Sequence, residues 1–256
     1  VSDEKALGLQ LTALDYADIS QAVFYAESPE VTVLSNTNMQ AIPVADLSLD
    51  LVVSQFGYEY SDTKESSVEI ARILKPSGKF VAMLHHIESE VTQAAERAIQ
   101  QILWCQRSDL AKVSGKLLKR LAKLEKHRKN PQTDSTAAEF RDQFNKTAER
   151  LQQYGDSLVE AAHISYFLNE LTSLFNPNKT RNMGLNKKLS IIEQLEKESE
   201  DYLDRMEAML NASSDQNKID QICEQLSAAG LTLGSIEKMQ HEDQVLAWIV
   251  QADKAS

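Results

Sequence analysis

Glu69-Ile70-Ala71-Arg72-Ile73-Leu74-Lys75-Pro76-Ser77-Gly78-Lys79 decides how this chain is read. Residues 65–74 suit a helix. Lys75-Pro76-Ser77-Gly78 then supplies a turn, since Pro fixes one backbone geometry and Gly permits another that most residues adopt poorly. Residues 79–84 resume as a strand. Upstream, Leu49-Asp50-Leu51-Val52-Val53-Ser54 is nearly continuous in apolar residues, as a buried parallel strand should be. Val31-Thr32-Val33-Leu34 is a shorter β-branched strand. Leu9-Gln10-Leu11-Thr12-Ala13-Leu14 alternates and meets Asp15, after which residues 19–26 suit a helix closed by Pro29. Strands alternating with helices predict a parallel sheet.

Downstream the periodicity changes. From Val91 to Leu124, apolar residues recur at steps of three and four, giving one long helix that ends at Asn130-Pro131-Gln132-Thr133-Asp134. Thr136 and Glu139 form a capping box for a second helix, which runs to Asn176-Pro177-Asn178 with Phe144, Leu151, Leu158 and Leu168 on its stripe. A third carries Leu185, Leu189, Ile192, Leu195, Tyr202 and Met206. Three such stripes predict a bundle. Residues 219–229 then form a helix stopped by Gly230, and residues 231–238 and 244–251 two strands across a polar turn. The expected division is an α/β domain from residues 1–87 and 218–256, interrupted by a helical insertion at 88–217.

A hydrophobic content of 42% supplies a core, and only 5 Pro and 8 Gly favour a helix-rich globular chain. The net charge of -11 disfavours general nucleic-acid affinity. One local exception is the run Lys112, Lys116, Lys119, Arg120, Lys123, Lys126, Arg128 and Lys129, which suits RNA, an acidic protein, a membrane surface, or simply water. Cys105 and Cys223 have no zinc-type spacing and cannot make a disulfide framework, which points to a reducing, cytoplasmic setting. No run reaches the length of a membrane span, and Val1-Ser2-Asp3-Glu4-Lys5 has no signal-peptide pattern.

The opening stretch resembles the Glu-x-x-Arg-Val-Leu-Lys-Pro-Gly-Gly signature of the class I S-adenosylmethionine-dependent methyltransferases, with Ser77 at the first Gly. Other segments resemble the family in order: Leu11-Thr12-Ala13-Leu14-Asp15, Asn38-Met39-Gln40-Ala41-Ile42-Pro43, Asp46 through Gly57, and Ala228-Ala229-Gly230-Leu231 through Ile249. The fold this implies is a Rossmann-like methyltransferase α/β sheet with a large α-helical bundle insertion. The cofactor implied is S-adenosylmethionine. On this resemblance Asp15 accepts from both ribose hydroxyls, since a carboxylate's two oxygens match a vicinal diol; an ordinary helix N-cap is the alternative. Asn38 stands where the family often has Asp and accepts from the adenine amino group, while Met39 offers its backbone N–H and apolar side chain to the ring. Gln55 and Phe56 lie beside the methionine part, and Tyr58 or Glu59 faces the substrate; core packing is the alternative for both aromatics.

The family opens with a strand and a glycine-rich loop, and no Gly-x-Gly precedes Leu9, so those elements are expected upstream of Val1. If they are absent altogether, an interaction scaffold without catalysis is the alternative function. Candidate bases for an acceptor are His85 and His86, at the end of the 79–84 strand, with Tyr58 behind them. An Asn-Pro-Pro-Tyr motif of amino-group nucleobase methylation is missing, since Ser54-Gln55-Phe56-Gly57 stands there, which excludes DNA as the expected acceptor. The resemblance favours a small-molecule acceptor. The helical insertion is expected to serve as a lid over the substrate or as a homodimer interface.

Overall fold

The structure, a computed structural model, describes residues 8–19 and 31–256. The helix expected over residues 19–26 falls almost wholly outside them. The described chain divides into two units, one from residues 1–92 and 212–256 and the other from residues 93–211.

In the first unit, β1 (Leu11–Leu14) and β2 (Val31–Leu34) form a parallel pair with Leu11 opposite Val31. The larger sheet has the order β3-β4-β6-β5, built from β3 (Leu49–Gln55), β4 (Leu74–His85), β5 (Leu231–His241) and β6 (Gln244–Lys254). β3 and β4 run parallel, and β6 is inserted antiparallel between β4 and β5. Helices α1 (Thr63–Ile73) and, late in the chain, residues Gln216–Ala228 cover one face: Ile70, Ile219, Ile222 and Leu226 meet Phe80, Leu84, Trp248 and Val250 in a single core. The helix begins at Thr63, two residues before the expected start, because the Asp62 side chain accepts the N–H groups of Lys64 and Glu65.

β3 departs from the expectation of a fully buried strand. Among the described residues it pairs with β4 alone; Val52 and Ser54 turn inward, while Leu51 and Val53 are 54% and 64% exposed. The Lys75-Pro76-Ser77-Gly78 turn lies within β4 as an irregularity, with the register jumping from Leu49↔Leu74 to Leu51↔Lys79. Ser77 there has φ +63. A Cβ on Gly78 would sit 2.8 Å from the Lys75 carbonyl oxygen, so only glycine fits.

The second unit contains α2 (Glu90–Arg107, which starts in the first unit), α3 (Leu110–Lys126), α4 (Ser135–Asp156), α5 (Ala162–Ser173), α6 (Pro177–Thr180) and α7 (Leu185–Ala212); the helix over Gln216–Ala228 is therefore α8. The single helix expected from Val91 to Leu124 is broken at Ser108-Asp109, where the Ser108 hydroxyl bonds the Cys105 carbonyl and Asp109 adopts φ +56. The second expected helix is likewise broken at residues 157–161. Its cap is Asp134 and not Thr136: the Asp134 carboxylate accepts from the Ala137 N–H and from Arg120, which hold it down to about 2. Leu117, Phe144, Leu151, Phe167, Leu171 and Leu195 build the core of this unit. No helix among the described residues is long and apolar enough to cross a membrane.

Candidate functional site

The carboxyl ends of parallel strands in an open α/β sheet converge on one edge, and side chains just beyond them share a crevice. In the first unit the turns after β1 and β2 and the exit from β3 line a cavity of about 480 Å³, a cofactor-sized volume. Asp15 lines it from β1, Asn38 and Met39 from β2, and Phe56, Tyr60 and Asp62 from the β3 exit.

Asp15 is fixed by its backbone, its N–H donating to the Leu34 carbonyl and its own carbonyl accepting from the Thr37 N–H. One carboxylate oxygen accepts from the Ala17 N–H at 2.8 Å in a local turn. The other is uncommitted among the described residues, and the first keeps a further acceptor site, so both can meet hydroxyls. Asn38 makes a similar turn, its side-chain oxygen accepting from the Gln40 N–H at 3.0 Å; a carbonyl oxygen has a second lone pair, so it can accept once more. Met39 borders the cavity and also packs on the sheet core.

The Glu69–Arg72 pair of the signature anchors this loop. Arg72 donates to the carbonyls of Ile42 and Val44, both at 2.9 Å, and to Glu69, while Glu69 accepts from the Ile42 N–H. The Arg72 hydrogen bond holds the Glu69 carboxyl below its ordinary value. Two residues of α1 thereby fix the segment that follows Asn38 and Met39.

Phe56 sits at φ +53, a conformation that strains an aromatic residue by about 1–2 kcal/mol. Its N–H still donates to the Met83 carbonyl, and its ring lies 4.3 Å from that of His85. The turn ends strand alternation and leads into a 3-10 segment, Tyr58–Tyr60.

Two expected site residues lie elsewhere. Gln55 is an exposed strand residue paired with Met83 and does not line the cavity. Tyr58 is fully buried in the sheet core, its hydroxyl bonded to the Thr63 carbonyl and the Ser67 hydroxyl, and burial pushes it up to about 12; it is a packing residue. The adjacent histidines part company because successive strand residues face opposite sides. His86 stacks on Trp248, and its Nδ1 accepts from the Glu88 N–H, which places the proton of the neutral ring on Nε2, a buried atom with no partner among the described residues. Burial, aided by the Lys238 charge, holds His86 below its ordinary value. His85 lies instead behind the cavity wall, against Phe56 and edge-on to Tyr60 at 5.9 Å. Its Nδ1 is 2.9 Å from Glu59 Oε1, which also accepts the His85 N–H at 3.0 Å.

Sequence reasoning did not find Thr37, Tyr60 or Asp62 as lining residues, nor the pairing of Glu59 with a histidine 26 positions away. A helix-capping signal at Asp62 ahead of α1 would have pointed to the end of the β3 exit. Nothing in the spacing could have paired Glu59 with His85.

Residues 3–82 match the family of methyltransferase domains. No curated protein matches the chain. Among solved structures, similarity is found to a chain of the Haloferax volcanii complex between the Trm112 methyltransferase activator and a protein assigned as a methyltransferase, at 29% identity over 32% of this chain and 39% of that one, TM-score 0.29. The CMeT domain of the citrinin polyketide synthase matches at 8% identity over 98% of this chain and 41% of that one, TM-score 0.42. A Methanosarcina mazei S-adenosylmethionine-dependent methyltransferase matches at 10% identity over 95% and 81%, TM-score 0.38. The chain thus spans well under two thirds of the first two. The signature of residues 69–79, in place between α1 and β4, thus falls within the stretch of this chain, residues 3–82, that is similar to methyltransferase domains.

Proposed function

We propose that the α/β unit transfers a methyl group from S-adenosylmethionine to a small-molecule acceptor. The observation that carries this reading is the cavity at the strand ends, where the uncommitted Asp15 oxygen, Asn38 and the strained Phe56 face one space. In that reading Asp15 holds the ribose diol, Asn38 and Met39 hold the adenine, and Phe56 flanks the reactive end. Bound there, the sulfonium supplies an electrophilic methyl group, and the protein's part is to align an acceptor and take up any proton. Calorimetric titration with S-adenosylhomocysteine tests it. Micromolar binding that Asp15→Ala weakens by about 10- to 100-fold is expected, the equivalent of about 1.5–3 kcal/mol for hydrogen bonds to a charged group. A complete, folded protein that fails to bind would overturn it.

A second site of contact is supported by α3. Lys112, Lys116, Lys119, Lys123 and Lys126 are exposed and recur at steps of four and three, which sets them along one helix face. Arg120 is held by Asp134 and Lys112 is paired with Asp109 at 3.7 Å, which leaves Lys116, Lys119, Lys123 and Lys126 as the main charge of that face. We read this stripe as a contact for an anionic partner such as RNA; charge reversal at Lys116, Lys119 and Lys123 abolishes salt-sensitive binding if so, and salt-independent binding argues against it. The helical unit is also read as a candidate homodimer surface, to be tested by sedimentation. Both cysteines are free and buried, which supports a cytoplasmic setting.

A further inference from the structure

Glu59 has its side chain wholly out of solvent, and its Oε2 has no partner among the described residues. Burying a carboxylate is costly unless its charge is used. Oε1 takes two donors from one residue, the backbone N–H and Nδ1 of His85. The carboxylate also acts on Tyr60, whose hydroxyl burial and the Glu59 charge together hold above its ordinary value, and on the Lys218 ammonium of α8. An ionised carboxylate only accepts, so a neutral His85 ring facing one would carry its proton on Nδ1 and leave Nε2 as a lone pair. That nitrogen makes no hydrogen bond to a described residue, and the His85 side chain retains 9% of its exposure. The ring lies between Phe56 and Tyr60, both of which line the cavity.

We propose that Glu59 and His85 form a proton-accepting dyad, with Glu59 as the positioning residue and His85 as the base, and that the acceptor is a hydroxyl compound that gives up a proton on methylation. This rests on the methyltransferase reading. As the acceptor oxygen forms its bond to the methyl carbon, its O–H proton passes to His85 Nε2. The carbon–sulfur bond breaks with its electron pair going to sulfur, which becomes a neutral thioether, and the imidazolium formed is held by the Glu59 carboxylate. Charge is conserved and no other reactant is needed. A tertiary amine acceptor has no proton to lose and would leave the dyad without work.

The test begins with a readout independent of turnover. The full chain has 5 histidines, so ¹⁵N-histidine labelling with a His85→Asn reference isolates the His85 signals. Under mildly alkaline conditions His85 is expected as the Nδ1–H tautomer, and Glu59→Gln, checked for folding by circular dichroism, is expected to weaken that preference. An Nε2–H tautomer in the wild type overturns the dyad. Diethyl pyrocarbonate supplies an arm free of substitutions. It is expected to modify His85 along with the exposed His127 and His241 and the half-buried His163, and to spare His86; modification of the other three without His85 overturns His85 as a base. S-adenosylhomocysteine affinity is measured on the same variants. Binding unchanged within about twofold with an altered tautomer supports the dyad, whereas absent binding in the wild type removes the methyltransferase reading and leaves the tautomer result standing by itself. With methyl-labelled S-adenosylmethionine, transfer to phenols that falls about 10²- to 10⁴-fold in His85→Asn is expected. Transfer confined to tertiary amines overturns the acceptor class.

Discussion

The two sides of the cavity are built on different principles. On one, Asp15, Asn38 and Met39 follow the short β1–β2 pair, at exposed or half-buried positions fixed by local turns and by a clamp reaching over from α1. On the other, Phe56 lines the cavity just past the end of β3, and behind it lie Glu59 of the 3-10 segment and His85 at the end of β4, 5% and 7% exposed. Exposed polar groups keep their hydration until a ligand replaces it, which suits recognition. Buried ionisable groups have been stripped of water during folding, which suits moving a proton. On the proposed reading, binding falls to one side and proton transfer to the other.

The strongest way to break this contrast is through the sheet core. Phe80→Ala removes a fully buried ring that meets Tyr58 edge-on at 5.2 Å, directly beneath the 3-10 segment carrying Glu59. A cost of about 3–5 kcal/mol is expected. Urea unfolding followed through Trp248 in a Trp104→Phe background reads the first unit alone, because each unit holds one of the 2 tryptophans. A cost below about 1 kcal/mol would mean that the core does not support the chemical side.

Glu69→Ala is the complementary cut, since it removes the acceptor of the Ile42 N–H and of Arg72 and releases only the loop side. A loss of about 1–3 kcal/mol is expected, reduced from a buried pair's value because Arg72 is 32% exposed. S-adenosylhomocysteine affinity should fall with it, while the His85 tautomer stays as in the wild type. Acid should mimic the substitution. The folded Glu69 carboxyl lies below its ordinary value of 4.5, so its contribution is complete above that value and disappears as pH falls through the lowered one. Asp134 in the helical unit behaves alike, its contribution vanishing between 3.8 and about 2. Wild-type stability that stays flat across that window would contradict both assignments.

The recognition side was legible in the sequence because Asp15, Asn38 and Phe56 each follow a recognisable strand, and ligand groups in α/β folds gather beyond the carboxyl ends of parallel strands. The chemical side was not. Strand alternation predicts that Phe56 and Tyr58 share a face, but the left-handed Phe56 ends the strand and the 3-10 segment buries both Tyr58 and Glu59. Alternation does separate His85 from His86, yet which of them looks toward the cavity depends on how β6 and Trp248 cover the sheet. The helix breaks at Ser108-Asp109 and residues 157–161 were hidden for another reason. The apolar stripe continues through both, and a periodicity reading follows the stripe and not the backbone.

The smallest effect bears on what the signature itself is for. Ser77 occupies a left-handed conformation at the end of β4 remote from His85, where the family places glycine. A non-glycine residue in that region is penalised by about 1–2 kcal/mol, and glycine gives back part of this by being freer in the unfolded chain. Ser77→Gly should therefore stabilise the first unit by about 0.5–1 kcal/mol, the loss of an exposed hydroxyl contact with Ser256 at 3.0 Å counting for little. Ligand affinity and the His85 tautomer should be unchanged. Stability gained with both held constant would show that the turn sets the sheet and leaves each side of the cavity to its own residues. A change in affinity would instead mean that β4 transmits the geometry of its turn along its length to the site, and the two sides would no longer be separable.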